Sequence, residues 1–210
     1  MRLSSQVVLA THNRGKLQEF RGLFSAYPAI ELIPADQVIR NAEGLKFAEK
    51  YDSYLENAIS KARMINKASH YPALADDSGL EVSALEGRPG VRSHRYAPPQ
   101  PHLSQDQANI EHMLKEMKSA PSRSARFVCT LALVIEGILL HSTGILNGTL
   151  LEQPKGGQGF GYDPIFVPTD STKTLAEMSS AEKNKISHRT QAFHALMAQV
   201  KAHGITFAKP

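Results

Sequence analysis

Short apolar runs alternate with helical stripes along the first half of the chain. Residues 6–10 form an apolar run that ends at Thr11, and apolar residues then recur at helical spacing from Leu17 to Phe24. This pattern predicts a strand, a polar loop and a helix. The same reasoning predicts a strand at 30–33, a longer helix over 54–65, and a buried strand at 73–75 that ends where residues 76–79 begin.

Hairpin and capping signals dominate the second half. A β-type run at 127–135 and a return at 138–140 flank a two-residue turn, and further strands are predicted at 149–151 and 164–167. Capping boxes start helices at Ser104 and Ser179, and Gly204 is placed to end the last helix. The stretch 86–101, rich in Gly, Pro and Arg, predicts an ordered connection or a lid.

These elements predict a mixed α/β fold in which helices flank a mixed sheet. The 210 residues suffice for one substantial core or two small ones, so we expect one continuous domain, 1–210, built as two lobes. Repeats, low-complexity tracts and a convincing linker are missing from the sequence.

Composition narrows the class of protein. A net charge of +4, with 24 Lys and Arg against 20 Asp and Glu, is a weak reason to expect a nucleic-acid partner. The single Cys excludes a disulfide framework and a CxxC zinc ribbon. The amino terminus lacks an apolar signal segment, and the chain lacks a run of about 18 apolar residues. We therefore expect a cytoplasmic protein without a membrane span.

Two polar clusters carry candidate chemistry in the first half. Residues 11–16 (Thr-His-Asn-Arg-Gly-Lys) offer a Lys and the free amides of a helix start, which suit a phosphate; an N-capping turn is the simpler alternative. Asp76 and Asp77 would repel each other unless a cation such as Mg²⁺ compensates, although a solvated turn explains them equally well. Glu43 and Glu56 are further carboxylates that could complete a metal site.

Two more clusters lie in the second half. In residues 156–163, glycines interleave with two aromatics that could stack on a base, whereas a flexible hairpin loop is the alternative. Residues 183–189 concentrate donors that a ligand with carbonyl or phosphate oxygens would satisfy; a solvated helix start is the simpler account. Cys129 and the methionines 64, 113, 117 and 197 are expected in the core.

Read together, the four clusters resemble the inosine/xanthosine triphosphate pyrophosphatase family, whose members are Ham1-like. The T/S-x-N-x-x-K pattern matches Thr11, Asn13 and Lys16. Further motifs follow in order: ENA-x-x-KA at 56–62, ADDSGL at 75–80, G-x-PG at 87–90, GFGYDPIF at 159–166 and SHR at 187–189. The chain departs from the family at His12, where many relatives carry Gly. It is also several residues longer around 48–54, so the family alignment leaves the position of Glu43 open.

The resemblance implies Mg²⁺-dependent hydrolysis of ITP, dITP and XTP to a nucleoside monophosphate and pyrophosphate, in a central cleft between the lobes. Asp77 would be the general base and, with Glu43, a metal ligand; these roles compete, because a carboxylate bound directly to a metal is a weak base. Glu56 is the alternative second ligand. The triphosphate would bind the residues Thr11, His12, Asn13, Arg14, Gly15, Lys16 and Lys61.

The same resemblance assigns the base and the remaining substrate contacts to residues of the later motifs. They are Ser78, Phe160, Gly161, Tyr162, Asp163, Lys183, His188 and Arg189. A homodimer is implied by analogy. The rivals are a pyrophosphatase for modified pyrimidines or for deoxynucleotides in general, and a basic nucleic-acid-binding module that would use Arg88, Arg92, Arg95 and the Lys183 region.

Overall fold

The computed structural model describes residues 2–3, 5–39 and 49–207. Its strands are β1 (Arg2–Leu3), β2 (Gln6–Leu9), β3 (Glu31–Pro34), β4 (Ala73–Val82), β5 (Ser124–Ile135), β6 (Ile138–Leu150), β7 (Phe166–Pro168) and β8 (Thr206–Phe207). Its helices are α1 (Arg14–Phe24), α2 (Ala35–Val38), α3 (Tyr54–Ser69), α4 (Gln105–Glu116), α5 (Ser180–Ile186) and α6 (His188–Ala202). Within the described ranges, no helix has the length and apolar character needed to cross a membrane.

The main sheet has six strands in the order β3-β2-β4-β5-β6-β7. Strand β2 pairs in parallel with both β3 and β4, whereas β6 and β7 are antiparallel, so the sheet is mixed as the sequence predicts. Residues 2–3 pair in parallel with residues 206–207 in a separate two-stranded sheet. The mixed α/β fold class is confirmed.

Two strands are longer than the sequence predicts. Strand β4 does not end at Asp76 but continues through Gly79 to Val82, and β6 runs unbroken from Ile138 to Leu150. The solvated turn considered for residues 76–79 is therefore wrong. A strand can carry two adjacent carboxylates because successive side chains point to opposite faces, where each finds its own partners.

The chain divides into two compact units, and the strands β4, β5 and β6 each contribute residues to both units. Unit 1 comprises 1–77, 129–144 and 189–210, and unit 2 comprises 78–128 and 145–188.

Unit 1 has a core on each face of its part of the sheet. On one face Leu74 and the alternate residues of β2 and β5 pack against α1 and α6, where Phe24 and Phe193 meet edge to face. On the other face Ala73, Ala75 and small residues of β5 pack against α3. Along β4, Asp76 continues the first face and Asp77 continues the second, which determines their neighbours.

Unit 2 has its own core, in which residues of β4–β7 pack against α4. Met113 and Met117 are fully buried there, as the sequence predicts, and Phe127 packs on Phe166. Residues 90–95 form a 3-10 helix whose Ser93 is buried, so this connection is ordered. Both predicted capping boxes are present, at Ser104 and at Ser179.

Candidate active site

The loop at 11–13 leads directly into α1 and caps it. Asn13 is the N-cap, and its side-chain oxygen accepts a hydrogen bond from the Lys16 amide at 3.0 Å. Thr11 accepts from the Asn13 amide at 3.2 Å. Because Arg14, Gly15 and Lys16 lie in the first turn of α1, the N-capping turn considered above is present. Capping occupies one helix-start amide, that of Lys16.

Asp76 is a buried carboxylate surrounded by cations of unit 1. The Lys16 Nζ lies 2.8 Å from Asp76 Oδ2, and the Arg189 Nε lies 3.7 Å from the same oxygen. Arg189 also forms an ion pair with Glu19 of α1. Burial alone would raise the pKa of Asp76, but the charges of Lys16, Arg189 and Lys61 outweigh it and hold that pKa far below its usual range. Asp76 is therefore ionised.

Lys61 connects α3 to the same strand. Its Nζ lies 2.5 Å from Glu49 Oε1 and donates to the backbone oxygen of Asp76 at 2.6 Å. Burial opposes its charge, yet Asp76 and Glu49 together raise the pKa of Lys61 above its ordinary value. The ammonium is thus a buried, permanent cation beside β4.

Asp77, unlike Asp76, accepts a hydrogen bond from a side-chain amide. Asn57 donates from Nδ2 to Asp77 Oδ2 at 2.9 Å. The same amide binds Tyr51 through both backbone groups, accepting from N at 3.0 Å and donating to O at 2.9 Å. Tyr51 therefore fixes which end of the amide faces Asp77. Burial raises the pKa of Asp77 despite the opposing charges of Lys61 and Lys16, as a group that accepts protons requires.

These residues form one charged cluster in unit 1, consisting of Lys16, Glu19, Glu49, Lys61, Asp76, Asp77 and Arg189. Three cations face four carboxylates. The sequence groups Arg189 with base recognition, but its side chain is 2% exposed and its ion pairs are with Asp76 and Glu19.

The predicted second metal ligand is not located. Glu43 lies outside the described residues, and Glu56, its alternative, is exposed in the first turn of α3. Within residues 5–39 and 49–207, no group of three or more His, Cys, Asp or Glu side chains is arranged to hold a metal ion. Among the described residues, Asp77 is the predicted metal ligand that is buried beside the cations of unit 1.

The second candidate region is the glycine loop, Gly159–Asp163, of unit 2. Asp163 accepts from the Phe160 amide at 3.0 Å and from Lys183 Nζ at 2.6 Å. The Lys183 ammonium also lies 4.7 Å from the centroid of the Phe160 ring. A side chain at Gly159 would place its Cβ 2.1 Å from Asp163 Oδ2, so only glycine allows the loop to wrap this carboxylate.

The two aromatics of the loop have different environments. Phe160 is half-buried, so its ring can still meet a ligand. Tyr162 is 3% exposed and belongs to the core of unit 2, with its hydroxyl donating to the Ser93 backbone oxygen at 3.0 Å. Stacking on a base fits Phe160, whereas the Tyr162 ring is committed to the core and can contribute through its backbone.

The remaining predicted residues are distributed more widely. In unit 2, Ser78 is half-buried within β4. The His188 ring is 4% exposed and stacks on Phe127, with centroids 4.9 Å apart and planes inclined by 11°. In unit 1, His12 is exposed on the capping loop, as expected, and Arg14 is exposed in the first turn of α1.

Sequence reasoning assigned no role to several residues that the structure places at these sites, although Asn57 stands within the ENA motif. They are Glu19, Glu49 and Asn57 in unit 1, and Ser93, Asp106 and Asn109 in unit 2. One usable signal existed, because Asn57 and Lys61 are four residues apart and so share one face of α3. The Arg189–Glu19 pair, 170 residues apart, has no local signature.

A lysine in the first turn of a helix, beside a buried pair of aspartates in a mixed α/β protein, is typical of enzymes that bind anionic substrates. The sequence profile of the Ham1 family matches residues 7–199, and the chain belongs to that family.

Named relatives resemble the chain over most of its length. The dITP/XTP pyrophosphatase of Bacillus subtilis (strain 168) is 41% identical over 209 residues, covering 96% of this chain and 100% of that protein. The Ham1 protein of Staphylococcus aureus superposes with a TM-score of 0.80 at 35% identity, covering 94% and 99% of the two chains. The Coxiella burnetii HAM1 protein superposes with a TM-score of 0.79 at 37% identity, covering 94% and 98%.

Proposed function

We propose that the protein hydrolyses noncanonical purine nucleoside triphosphates (ITP, dITP, XTP and dXTP) to the nucleoside monophosphate and pyrophosphate, and so removes them from the nucleotide pool. Relatives at about 40% identity across the chain carry the name dITP/XTP pyrophosphatase. The observation that carries the proposal is the buried Asp77 carboxylate, held by Asn57 and flanked by the ammonium groups of the charged cluster.

In the reaction, the oxygen of a water molecule forms a bond to the α-phosphorus while the bond from that phosphorus to the bridging oxygen breaks. Pyrophosphate leaves with the bonding electrons, and the proton of the attacking water goes to a base. Asp77 is our candidate for that base, because burial raises its pKa and Asn57 fixes its orientation. The protein otherwise positions charges against the phosphates.

The phosphates are assigned to unit 1. The first turn of α1 presents amides and the helix dipole, and Thr11, Asn13 and Lys16 are arranged around that helix start. Lys61 adds a buried cation beside Asp77. His12, Arg14 and Gly15 contribute their backbone and, at Arg14, an exposed charge.

Recognition of the base is assigned to unit 2. Phe160 offers a half-buried ring, and Gly161, Tyr162 and Asp163 offer backbone groups, with Lys183, His188 and Ser78 as further contacts. Arg189 is assigned here from the family resemblance, and its ion pairs with Asp76 and Glu19 belong to unit 1. A donor facing the 6-oxo group of hypoxanthine or xanthine would be left unpaired by adenine, at a cost of about 1–3 kcal/mol per contact.

Pyrophosphatases of this kind generally use a divalent metal cofactor, and we assign Mg²⁺. The donor set fits Mg²⁺, because it binds through one or two carboxylates together with substrate phosphates, and Asp77 offers an oxygen ligand. Four carboxylates against three cations also leave the cluster without surplus positive charge for a polyphosphate. When bound, Mg²⁺ would neutralise charge on the phosphates. Glu43 remains the proposed second ligand.

Three further assignments belong to the proposal. We expect a homodimer, a cytoplasmic location, and folding of residues 1–210 as a single domain. Light scattering, fractionation of the native host and a single cooperative unfolding transition would test them separately. A monomeric mass, a location outside the cytoplasm or more than one unfolding transition would each contradict its own assignment without affecting the proposed activity.

The central experiment measures pyrophosphate release from ITP, XTP, GTP and ATP with Mg²⁺ and with EDTA. We expect ITP and XTP to be preferred over ATP and GTP in kcat/KM by at least about a hundredfold, and EDTA to abolish release. Comparable rates on all four triphosphates, or preference for modified pyrimidines, would contradict the assignment.

The role of Asp77 is tested by Asp77→Asn, with the exposed Asp170→Asn as a matched control. We expect the first variant to lose about a thousandfold in kcat with little change in KM, because general-base catalysis contributes that much, and the second to behave as wild type. Wild-type turnover by Asp77→Asn would remove Asp77 from the mechanism.

A further inference from the structure

The glycine loop is anchored at two points to parts of unit 2 outside the predicted site. The Gly161 amide donates to Asp106 Oδ2 at 2.7 Å, and the Tyr162 hydroxyl donates to the Ser93 backbone oxygen at 3.0 Å. Gly161 has a φ of +61°, a left-handed conformation that a hydrogen bond at its amide helps to hold. These anchors come from residues that no motif of the sequence singled out.

Both anchors lead back to one helix. Asp106 lies in the first turn of α4, and Asn109 lies one turn further on. The buried Asn109 amide donates to the backbone oxygens of Ser93 at 3.2 Å and of His94 at 3.0 Å. Its side-chain oxygen accepts from the Ala97 amide at 2.8 Å. Helix α4 therefore holds the loop directly through Asp106 and indirectly, by way of Ser93, through Asn109.

The helix does not need Asp106 for its own cap. Ser104 and Gln107 form the capping box, so the α4 start is already satisfied without the Asp106 side chain. A carboxylate in the first turn interacts favourably with the helix dipole, but the Asp106 carboxylate also accepts a hydrogen bond from a loop amide 55 residues away. Its interaction with the helix dipole does not explain this long-range contact.

We infer that Asp106 is a positioning residue for base selection, which holds the backbone of the glycine loop in the conformation that meets the purine. The inference rests on the proposed function, because it assumes that Phe160 and the neighbouring backbone contact the base. A loop released from Asp106 would sample other conformations. Substrate binding would then have to order the loop, and the entropy lost would weaken the affinity for substrate. The chemical step, assigned to unit 1, would be unaffected.

The test compares Asp106→Ala with Asp106→Asn, which keeps an acceptor oxygen but removes the charge. Glu111→Ala, an exposed acidic residue on the same helix, is the matched control. For Asp106→Ala we expect KM for ITP to rise about tenfold and the ITP-to-ATP ratio of kcat/KM to fall by a similar factor, with kcat within about twofold. Asp106→Asn and Glu111→Ala should stay within about twofold of wild type in all three.

A second measurement keeps the result independent of turnover. Amide hydrogen exchange of residues 156–163 should accelerate in Asp106→Ala and not in Asp106→Asn, with unchanged melting temperatures supporting an intact fold. If Asp106→Ala keeps the wild-type KM, ITP-to-ATP ratio and loop exchange, this inference alone is overturned. Equal losses in Asp106→Ala and Asp106→Asn would overturn it as well. A wild-type protein that releases no pyrophosphate from ITP would instead overturn the proposed function.

Discussion

Both candidate regions contain a buried aspartate paired with a lysine, and the two pairs are built differently. In unit 1, Asp76 faces Lys16 at 2.8 Å, and Arg189 and Lys61 also act on it from other helices. In unit 2, Asp163 has Lys183 at 2.6 Å and the Phe160 amide of its own loop. The Lys16–Asp76 pair belongs to a cluster of charges from α1, α3 and α6. The Lys183–Asp163 pair instead holds the conformation of the glycine loop. We infer that unit 1 provides the charges that act on the phosphates and that unit 2 provides the shape that recognises the base.

The comparison is tested most strongly by removing each carboxylate's charge. Asp76→Asn removes the anion shared by the half-buried Lys16 and the buried Arg189, although Arg189 keeps Glu19 as a charged partner. We therefore expect a loss of about 3–5 kcal/mol in the free energy of unfolding. Asp163→Asn removes the anion that faces a single cation, Lys183, and the amide oxygen can still accept from Lys183 and from the Phe160 amide, so we expect a smaller loss of about 1–2 kcal/mol. Urea unfolding measures both. Equal losses would show that the two pairs are energetically alike.

Acid unfolding provides the next test. Because the pKa of Asp76 is lowered in the folded state, its contribution to stability is complete above the ordinary pKa of an aspartate and is lost as pH falls below it. We expect roughly 2–3 kcal/mol to disappear in this range, as for other salt-bridged aspartates. Urea midpoints between pH 6 and pH 2 measure the loss. In Asp76→Asn the free energy of unfolding should fall less steeply with decreasing pH. If it falls as steeply as in the wild type, Asp76 is not the source of the pH dependence.

A smaller effect is expected from the shape-defining region. Phe160→Leu removes the ring that faces Lys183 and, in our proposal, the base. Because stacking on a base is worth about 1–3 kcal/mol, KM for ITP should rise about tenfold while kcat changes little. Steady-state kinetics measures the split, and Phe207→Leu in β8 is the matched control. A fall in kcat with KM unchanged would contradict the division between the regions.

The smallest effect is expected at the capping loop. The side chain of His12 is exposed, so His12→Ala should change stability by less than about 0.5 kcal/mol and ITP turnover by less than about twofold. Thermal melting and one kinetic measurement suffice. A large loss of turnover would mean that this side chain takes part in binding phosphate.

Prediction from sequence succeeded where the signal is local. The capping boxes at Ser104 and Ser179, the strand–loop–helix at residues 6–24 and the burial of Cys129 are all confirmed. It failed at Asp76 and Asp77, where two charged residues indicate a strand end although β4 continues for several residues. Local polarity cannot show that Lys16, from a different helix, and Asn57, from another, satisfy these carboxylates.

The order of residues alone therefore determined the α/β class, the helix starts and the family resemblance, because periodicity, capping and motif spacing act over a few residues. Tertiary structure alone decided that Arg189 pairs with Glu19, that the Tyr162 ring is buried and that Asp106 holds Gly161. Each of these depends on which distant side chain can reach a buried charge or amide. The cost of leaving such a group unpaired selects its partner, and that cost exists only once the chain has folded.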